Sequence, residues 1–407
     1  MNPPLKISGQ RLMANLLAQG RIGWVEGRGL RREAYTPAYL EARDFTQACM
    51  EKAGLITRID SVGNLFGLLP GSDPLAPRLL IGSHLDSVLD GGIYDGAYGV
   101  FAAIEAAQSL SEQGLTLRHG LEAVAFTAEE GGPLGGTFGS RALCGLVREL
   151  PDDRVLAERG LSREAVAQAQ AAAGTYAAYL EAHIEQGPVL ERQGLEIGIP
   201  TGIVGISRYR CQVHGEANHA GTTPTAERKD ALYAGVHAID AWLGYMREES
   251  EMVCNVAEIA VEPGQIGVVA GGFSFTVEIR SQHPADTERA AAKLKEILAR
   301  TGPCTAQMFL LVDKPPARLD PRLVGLLDDC CQSLGLKYRP MPSGASHDAS
   351  PLAKTMPAAM LFVPSHLGIS HSQEEYTPPA NLMIGAEVLL NALPALDALD
   401  LEPPATL

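Results

Sequence analysis

Two rhythms of apolar and polar residues run along the chain, one near the helical repeat and one of short unbroken apolar stretches, and their alternation predicts the elements. Residues 79–81 and 121–127 are brief apolar runs of the kind that form strands buried on both faces. The first leads into His84 and Asp86, a glycine-rich loop then presents Asp95, and Gly96 opens an apolar-periodic helix predicted over 96–113. The second runs directly into Glu129-Glu130-Gly131. Ahead of these, the pattern predicts helices over 5–20 and 37–53, the latter with Thr36 as cap, Pro37 in its first turn and Gly54 as its stop. Strands over 56–60 and 64–69 turn at Val62-Gly63.

Further along, 146–182 is rich in Ala and Glu and reads as helical, ending on His183-Ile184-Glu185-Gln186-Gly187-Pro188. The period then changes. Strand, helix, strand, strand, helix and strand are predicted over 208–214, 226–247, 253–261, 273–281, 286–300 and 305–312, the βαββαβ order of a ferredoxin-like unit. Strand-helix alternation resumes with 321–334, 358–363 and 381–393, after Lys314-Pro315-Pro316. The expected fold is therefore α/β, a mixed sheet with helices on both faces, interrupted by an inserted ferredoxin-like domain. The boundaries expected are 1–207 with 316–407 for the main domain and 208–315 for the insert. In such sheets ligands sit beyond the carboxyl ends of the strands, where both acidic clusters fall.

Composition narrows the classes. At 407 residues two domains are the natural division. A net charge of −15 excludes a phosphate-backbone partner, since nucleic-acid binders present basic faces. No apolar run approaches the ~20 residues of a membrane span, and the opening Met1-Asn2-Pro3-Pro4 has no signal-peptide pattern, so a cytoplasmic location and no membrane partner are expected. Seven cysteines without a CxxC spacing suggest small buried residues rather than disulfides or a thiolate metal site.

The polar residues at strand ends and in loops collect into His84, Asp95, Glu129, Glu130, His183 and His371. Five complete a two-metal site, with Asp95 bridging, His84 and His183 on one ion, and Glu130 and His371 on the other. Imidazole and carboxylate ligands without thiolate suit zinc, manganese, cobalt or nickel. Glu129 is left as general base, and Asp86 is expected to orient the His84 ring. The chemistry this predicts is amide hydrolysis without a covalent intermediate. Singly, each residue has a plainer reading: an acidic pair usually lies on a solvated face, and most histidines, His214 and His237 among them, are surface or core residues. Neither Gly139-Ser140-Arg141 nor Gly82-Ser83-His84 is a nucleophile elbow.

The blocks GSHLDSVLDGGIYDGAYGV, FTAEEG with GSRALCG, EAHIEQGPVLE, HGEANHAGTTP with ERKDAL, VEIR, PSGASHDA and GISHSQEEYTPP resemble a known family. It comprises the N-carbamoyl-L-amino-acid hydrolases, allantoate amidohydrolases and β-ureidopropionases, a branch of the dinuclear zinc aminoacylase and carboxypeptidase group. The resemblance implies two divalent ions per subunit, zinc foremost, on the five ligands named. It adds Gln186, Asn218, His219, Arg280, Gly344 and His347 as substrate residues, Arg280 holding a carboxylate with its guanidinium fork. It also implies a homodimer in which His219 acts across the interface, with the insert as lid and dimerisation domain. The substrate expected is a small N-carbamoyl amino acid, or allantoate, with a free carboxylate. Three departures stand out: Gly267 where the family has a substrate-binding asparagine, a turn after Glu130 that lacks the usual Arg-Phe pair, and Thr225 where methionine is usual. The first raises an N-acyl amino acid or dipeptide as alternative substrate. A non-catalytic ligand-binding descendant of the fold is the alternative of another class.

Overall fold

The computed structural model describes residues 3–250 and 252–401, so Met1, Asn2 and the last six positions of the expected main domain lie outside it. The chain divides into two compact units, Met1–Gly202 with Arg318–Leu407, and Ile203–Ala317.

The first unit is built on a mixed sheet. Its central strands, Ala358–Val363, Tyr176–Ile184, Arg78–His84 and Leu121–Phe126, are parallel neighbours in that order. Antiparallel strands flank them, Ile197–Ile203 on one side and Leu65–Leu69 then Ile56–Ile59 on the other. Alternate residues explain why the central strands read as unbroken apolar runs. Leu79, Ile81, Ala123, Ala125, Leu180 and Leu361 face a core shared with helices Ala97–Glu112, Pro321–Ser333 and Pro379–Asp397. Leu80, Val124, Phe126, Tyr179 and Phe362 are equally buried on the opposite face, which the short helix Ala349–Leu352 covers, itself packed on Phe138–Leu143.

Helix Pro379–Asp397 is long and apolar enough by composition to cross a membrane, a property the sequence reading above does not anticipate. Half of its apolar window is buried against the neighbouring helices and sheet, as a core helix requires.

The helix expected over 146–182 is corrected. Only Asp153–Ala157 and Arg163–Gln168 are helical, and Tyr176–Ile184 is a central strand. Gly174, at φ +77°, turns the chain after the second short helix. Burial between two parallel neighbours then overrides the helical preference of Ala and Glu.

In the second unit four antiparallel strands lie in the order Val253–Glu262, Gly272–Ser281, Gly205–His214, Thr305–Lys314. Helices Ala231–Arg247 and Pro284–Leu298 pack on them through Trp242, Leu294 and the inward residues Cys211, Phe275 and Ile279. The first strand starts at Gly205, because its pairing extends to Ser281, and the last runs on to Lys314. The unit is accordingly wider at both ends than 208–315.

Candidate metal centre

The polar residues gather where the parallel strands end. His84 and His183 are the last and next-to-last residues of adjacent strands, and Glu129-Glu130 follow the third by a short turn. Asp95 sits in the loop before helix Ala97–Glu112, whose first turn begins beside it. Gly96 has φ +63°, and a Cβ there would stand 2.4 Å from the His84 ring, so only glycine lets the Asp95 loop approach that imidazole. His371 comes from the loop after strand Ala358–Val363. Ala128, Gln186 and His371 all hold left-handed backbone, at φ of 54°, 57° and 54°. Each costs roughly 1–3 kcal/mol that the surrounding fold must offset, a concentration typical of functional sites.

Asp95 is the centre of the cluster. Its Oδ1 lies 3.1 Å from His183 Nε2 and 3.6 Å from His84 Nε2. Its Oδ2 lies 3.2 Å from His371 Nε2, which is 3.5 Å from Glu130 Oε2. Two triads able to hold a cation thus share one carboxylate: His84, Asp95 and His183, then Asp95, Glu130 and His371. The tautomers suit ligation. His84 Nδ1 donates to the Asp86 carbonyl at 3.0 Å, and His183 Nδ1 to the Ile184 carbonyl at 2.9 Å. Each leaves an Nε2 lone pair facing Asp95, and the Gly96 N–H already donates to that of His183. Glu130 Oε1 is buried with no hydrogen-bond partner among the described residues, as an oxygen reserved for a cation would be. The donor set fits a hard or borderline divalent metal.

Electrostatics point the same way. Burial alone raises the Asp95 pKa, yet the three imidazoles hold it well below the ordinary carboxylate range. Burial opposes charge on His84, but Asp95, Glu129, Asp86 and Glu130 outweigh it and hold its pKa well above normal, so a cation takes Nε2 only by displacing a proton. Burial, then the neighbouring acids, push Glu129 well above a usual carboxyl, with His84 opposing. Burial and Asp95 push up Glu130. Several acids packed this tightly out of water are an unfavourable arrangement that bound cations relieve.

Asp86 differs from expectation in one respect. Its backbone carbonyl, rather than its carboxylate, takes the His84 hydrogen bond, while the carboxylate is 3.8 Å from Nδ1. The carboxylate accepts the backbone N–H groups of Glu129 and Glu130 at 3.0 and 3.1 Å, and so holds the acidic pair in place. Glu129 Oε2 stands 3.9 Å from His84 Nε2. Gln186 Nε2 donates to Asp95 Oδ2 at 2.8 Å. His347 packs edge-on to His183 with ring centroids 4.5 Å apart, and Gly344 precedes it after strand Tyr338–Ser343. Burial above all drives the His347 pKa well below normal, so it is a neutral imidazole.

The remaining expected residues belong to the second unit. Asn218 and His219 form a ribbon with Val268–Val269, exposed to solvent. His219 Nδ1 accepts the Gly221 N–H at 3.1 Å, leaving Nε2–H as an outward donor. Arg280 lies on strand Gly272–Ser281 and donates to Glu278 at 2.8 Å. A cavity of about 500 Å³ opens beside Glu130, walled by Tyr35, Leu89, Pro133 and Arg159 among others. Glu181, Ser370 and Glu375, all hydrogen-bonded around the cluster, escape the sequence reading. Glu375 lies only four residues beyond His371, a proximity that offers a faint signal.

A family model described as Peptidase family M20/M25/M40 matches residues 80–395. The chain belongs to that family. Among its M20 relatives, it is 37% identical over 389 residues to the N-carbamoyl-L-amino-acid amidohydrolase of Paenarthrobacter aurescens, covering 91% of this chain and 94% of that protein. It is 35% identical over 383 residues to the allantoate amidohydrolase of Bacillus subtilis, covering 90% and 92%. A crystal structure of a hydantoinase/carbamoylase family amidase from Burkholderia ambifaria superposes with a TM-score of 0.88 at 33% identity, over 99% of this chain and all of that one. This M20 chain is a hydrolase acting on amide C–N bonds.

Proposed function

We propose that the enzyme hydrolyses the ureido C–N bond of an N-carbamoyl L-amino acid, or of a related small carboxylate such as allantoate. The observation that carries the site is the single Asp95 carboxylate facing two imidazoles with one oxygen and a third imidazole, beside Glu130, with the other. The two triads would hold a pair of divalent ions, zinc foremost. Such ions, when bound, lower the pKa of a water to roughly 7 and polarise the carbonyl under attack.

Glu129 would take a proton from the attacking water as the oxygen adds to the carbonyl carbon, and return it to the departing amine nitrogen. The products are the free amino acid and a carbamate, which falls apart to carbon dioxide and ammonia. Asp86 keeps Glu129 within reach by fixing its backbone N–H. Gln186, His347, Gly344 and Asn218 would position the substrate. Arg280 would hold its carboxylate, exchanging Glu278 for the substrate in part of its fork. His219 would donate its Nε2–H to the carbonyl oxygen from the partner subunit of a homodimer, with the insert of Ile203–Ala317 serving as lid and interface and the flanking segments as the catalytic domain. The seven free cysteines fit a cytoplasmic enzyme.

Names of the relatives, 37% and 35% identical, support the substrate class. The test is metal-replete protein on a panel of N-carbamoyl amino acids and allantoate, read by ammonia release. Turnover of a panel member is expected, and none on any member with metal bound rejects the assignment. Gly267 favours a second reading, an N-acyl amino acid or dipeptide. No atom of the described residues lies within 4 Å of a Cβ built there, so Gly267→Asn is accommodated and should shift preference toward the carbamoyl compound. Unchanged preference contradicts that role for the turn.

A further inference from the structure

Beside the cluster lies a buried carboxyl that the mechanism above does not use. Glu375 is 5% exposed, and its Oε1 accepts the backbone N–H groups of Tyr94 and Asp95 at 3.0 and 3.1 Å. Gly92 makes the room, because a Cβ there would stand 2.1 Å from that oxygen. Glu375 Oε2 is 2.8 Å from the Ser370 hydroxyl, which is also 3.3 Å from Asp95 Oδ2.

A serine hydroxyl carries one proton, so Glu375 and Asp95 compete for it. An Asp95 Oδ2 atom has about two lone-pair sites, and Gln186 Nε2 fills one from 2.8 Å. The other is open to a cation only if the Ser370 proton points elsewhere. Distance decides the competition in favour of Glu375, which is half an ångström closer by the two separations just given.

We infer that Glu375 is a positioning residue that turns the Ser370 proton away from Asp95 and so keeps one Oδ2 lone pair open for the cation shared with Glu130 and His371. The inference rests on the reading of Asp95 as bridging ligand. A glutamine at 375 can still accept both backbone N–H groups through its oxygen, but its amide nitrogen must then face Ser370 and donate. The hydroxyl becomes the acceptor, and its proton swings onto Asp95.

Metal-stripped wild-type protein and variants titrated with zinc or cobalt, read by calorimetry and by metal content after dialysis, test this. Wild type should bind two equivalents. E375Q should keep one and bind the second about 10- to 100-fold more weakly, the usual range for losing a residue that orients a ligand. The double variant E375Q/S370A, which lacks the competing proton, should recover second-site affinity to within about threefold of wild type. Deleting a further hydrogen bond would not repair a merely structural defect. S370A alone keeps Glu375 in place and should also stay within about threefold. Second-site binding by E375Q equal to wild type, no recovery in the double variant, or tighter binding by S370A would each overturn the inference. Wild type that binds fewer than two equivalents, or D95N that still binds two, would overturn the bridging reading itself and the inference with it.

Discussion

Asp95 organises its surroundings through single atoms, and substitutions there are expected to act one function at a time. Glu129→Gln removes a proton acceptor but no metal-facing oxygen of either triad. It should lower kcat about a hundredfold to ten-thousandfold, the usual contribution of general acid-base catalysis, while metal content stays at the wild-type level. Loss of metal along with activity would place Glu129 among the ligands instead. Gly96→Ala drives a Cβ into the His84 ring at a backbone angle that L residues resist. It should reduce metal occupancy and cost more than about 1 kcal/mol in a denaturant melt. At this scale the chain was most legible: a histidine, an aspartate and an acidic pair, each straight after an apolar run, mark where strands end. What escaped were residues whose roles depend on three-dimensional neighbours. Glu375 and Ser370 look like ordinary loop polarity until Tyr94 and Asp95 are brought against them. Asp86 orients the His84 ring through a backbone carbonyl that no side-chain pattern could reveal.

Elements position these atoms, and their ends matter more than their middles. Asp397, the last residue of helix Pro379–Asp397, accepts the backbone N–H groups of Arg118 and His119 at 2.8 and 2.9 Å, tying the helix to the turn before strand Leu121–Phe126. Burial would raise its pKa, but those donors and the His119 ring more than offset this and hold it below the usual 3.8. A carboxyl depressed on folding contributes stability above its unfolded pKa of about 4 and loses that contribution as pH falls toward the folded value. Asp397→Asn should therefore destabilise by roughly 1–2 kcal/mol at neutral pH and flatten the acid limb of a stability-against-pH curve. An unchanged acid limb would contradict the assignment. Strand Tyr176–Ile184 was the element the sequence hid. Ala and Glu carry a helical preference, and only pairing between two other parallel strands makes 176–184 extended, so no local pattern announces it. His183 is consequently fixed within a strand, rather than at the end of the helix expected over 146–182, which gives its imidazole the rigid support a ligand needs.

As a whole the chain is a sheet domain interrupted by a ferredoxin-like unit, and the interruption was legible because the period of the apolar pattern changes and then returns. The proposed partition of labour between subunits can be tested without a structure. H219A and E129Q homodimers should each be nearly inactive. Mixed by unfolding and refolding, they should regain about a quarter of wild-type turnover, because half of randomly paired dimers are mixed and each of these has one site with both residues intact. No recovery would mean that His219 serves its own chain or none. The measurement that reaches the central claim most directly is anomalous diffraction at the zinc edge from crystals of the zinc-loaded enzyme. Two peaks roughly 3.5–4 Å apart, one beside His84 and His183 and the other beside Glu130 and His371, with Asp95 between them, are predicted. A single peak, or none within reach of Asp95, would contradict it.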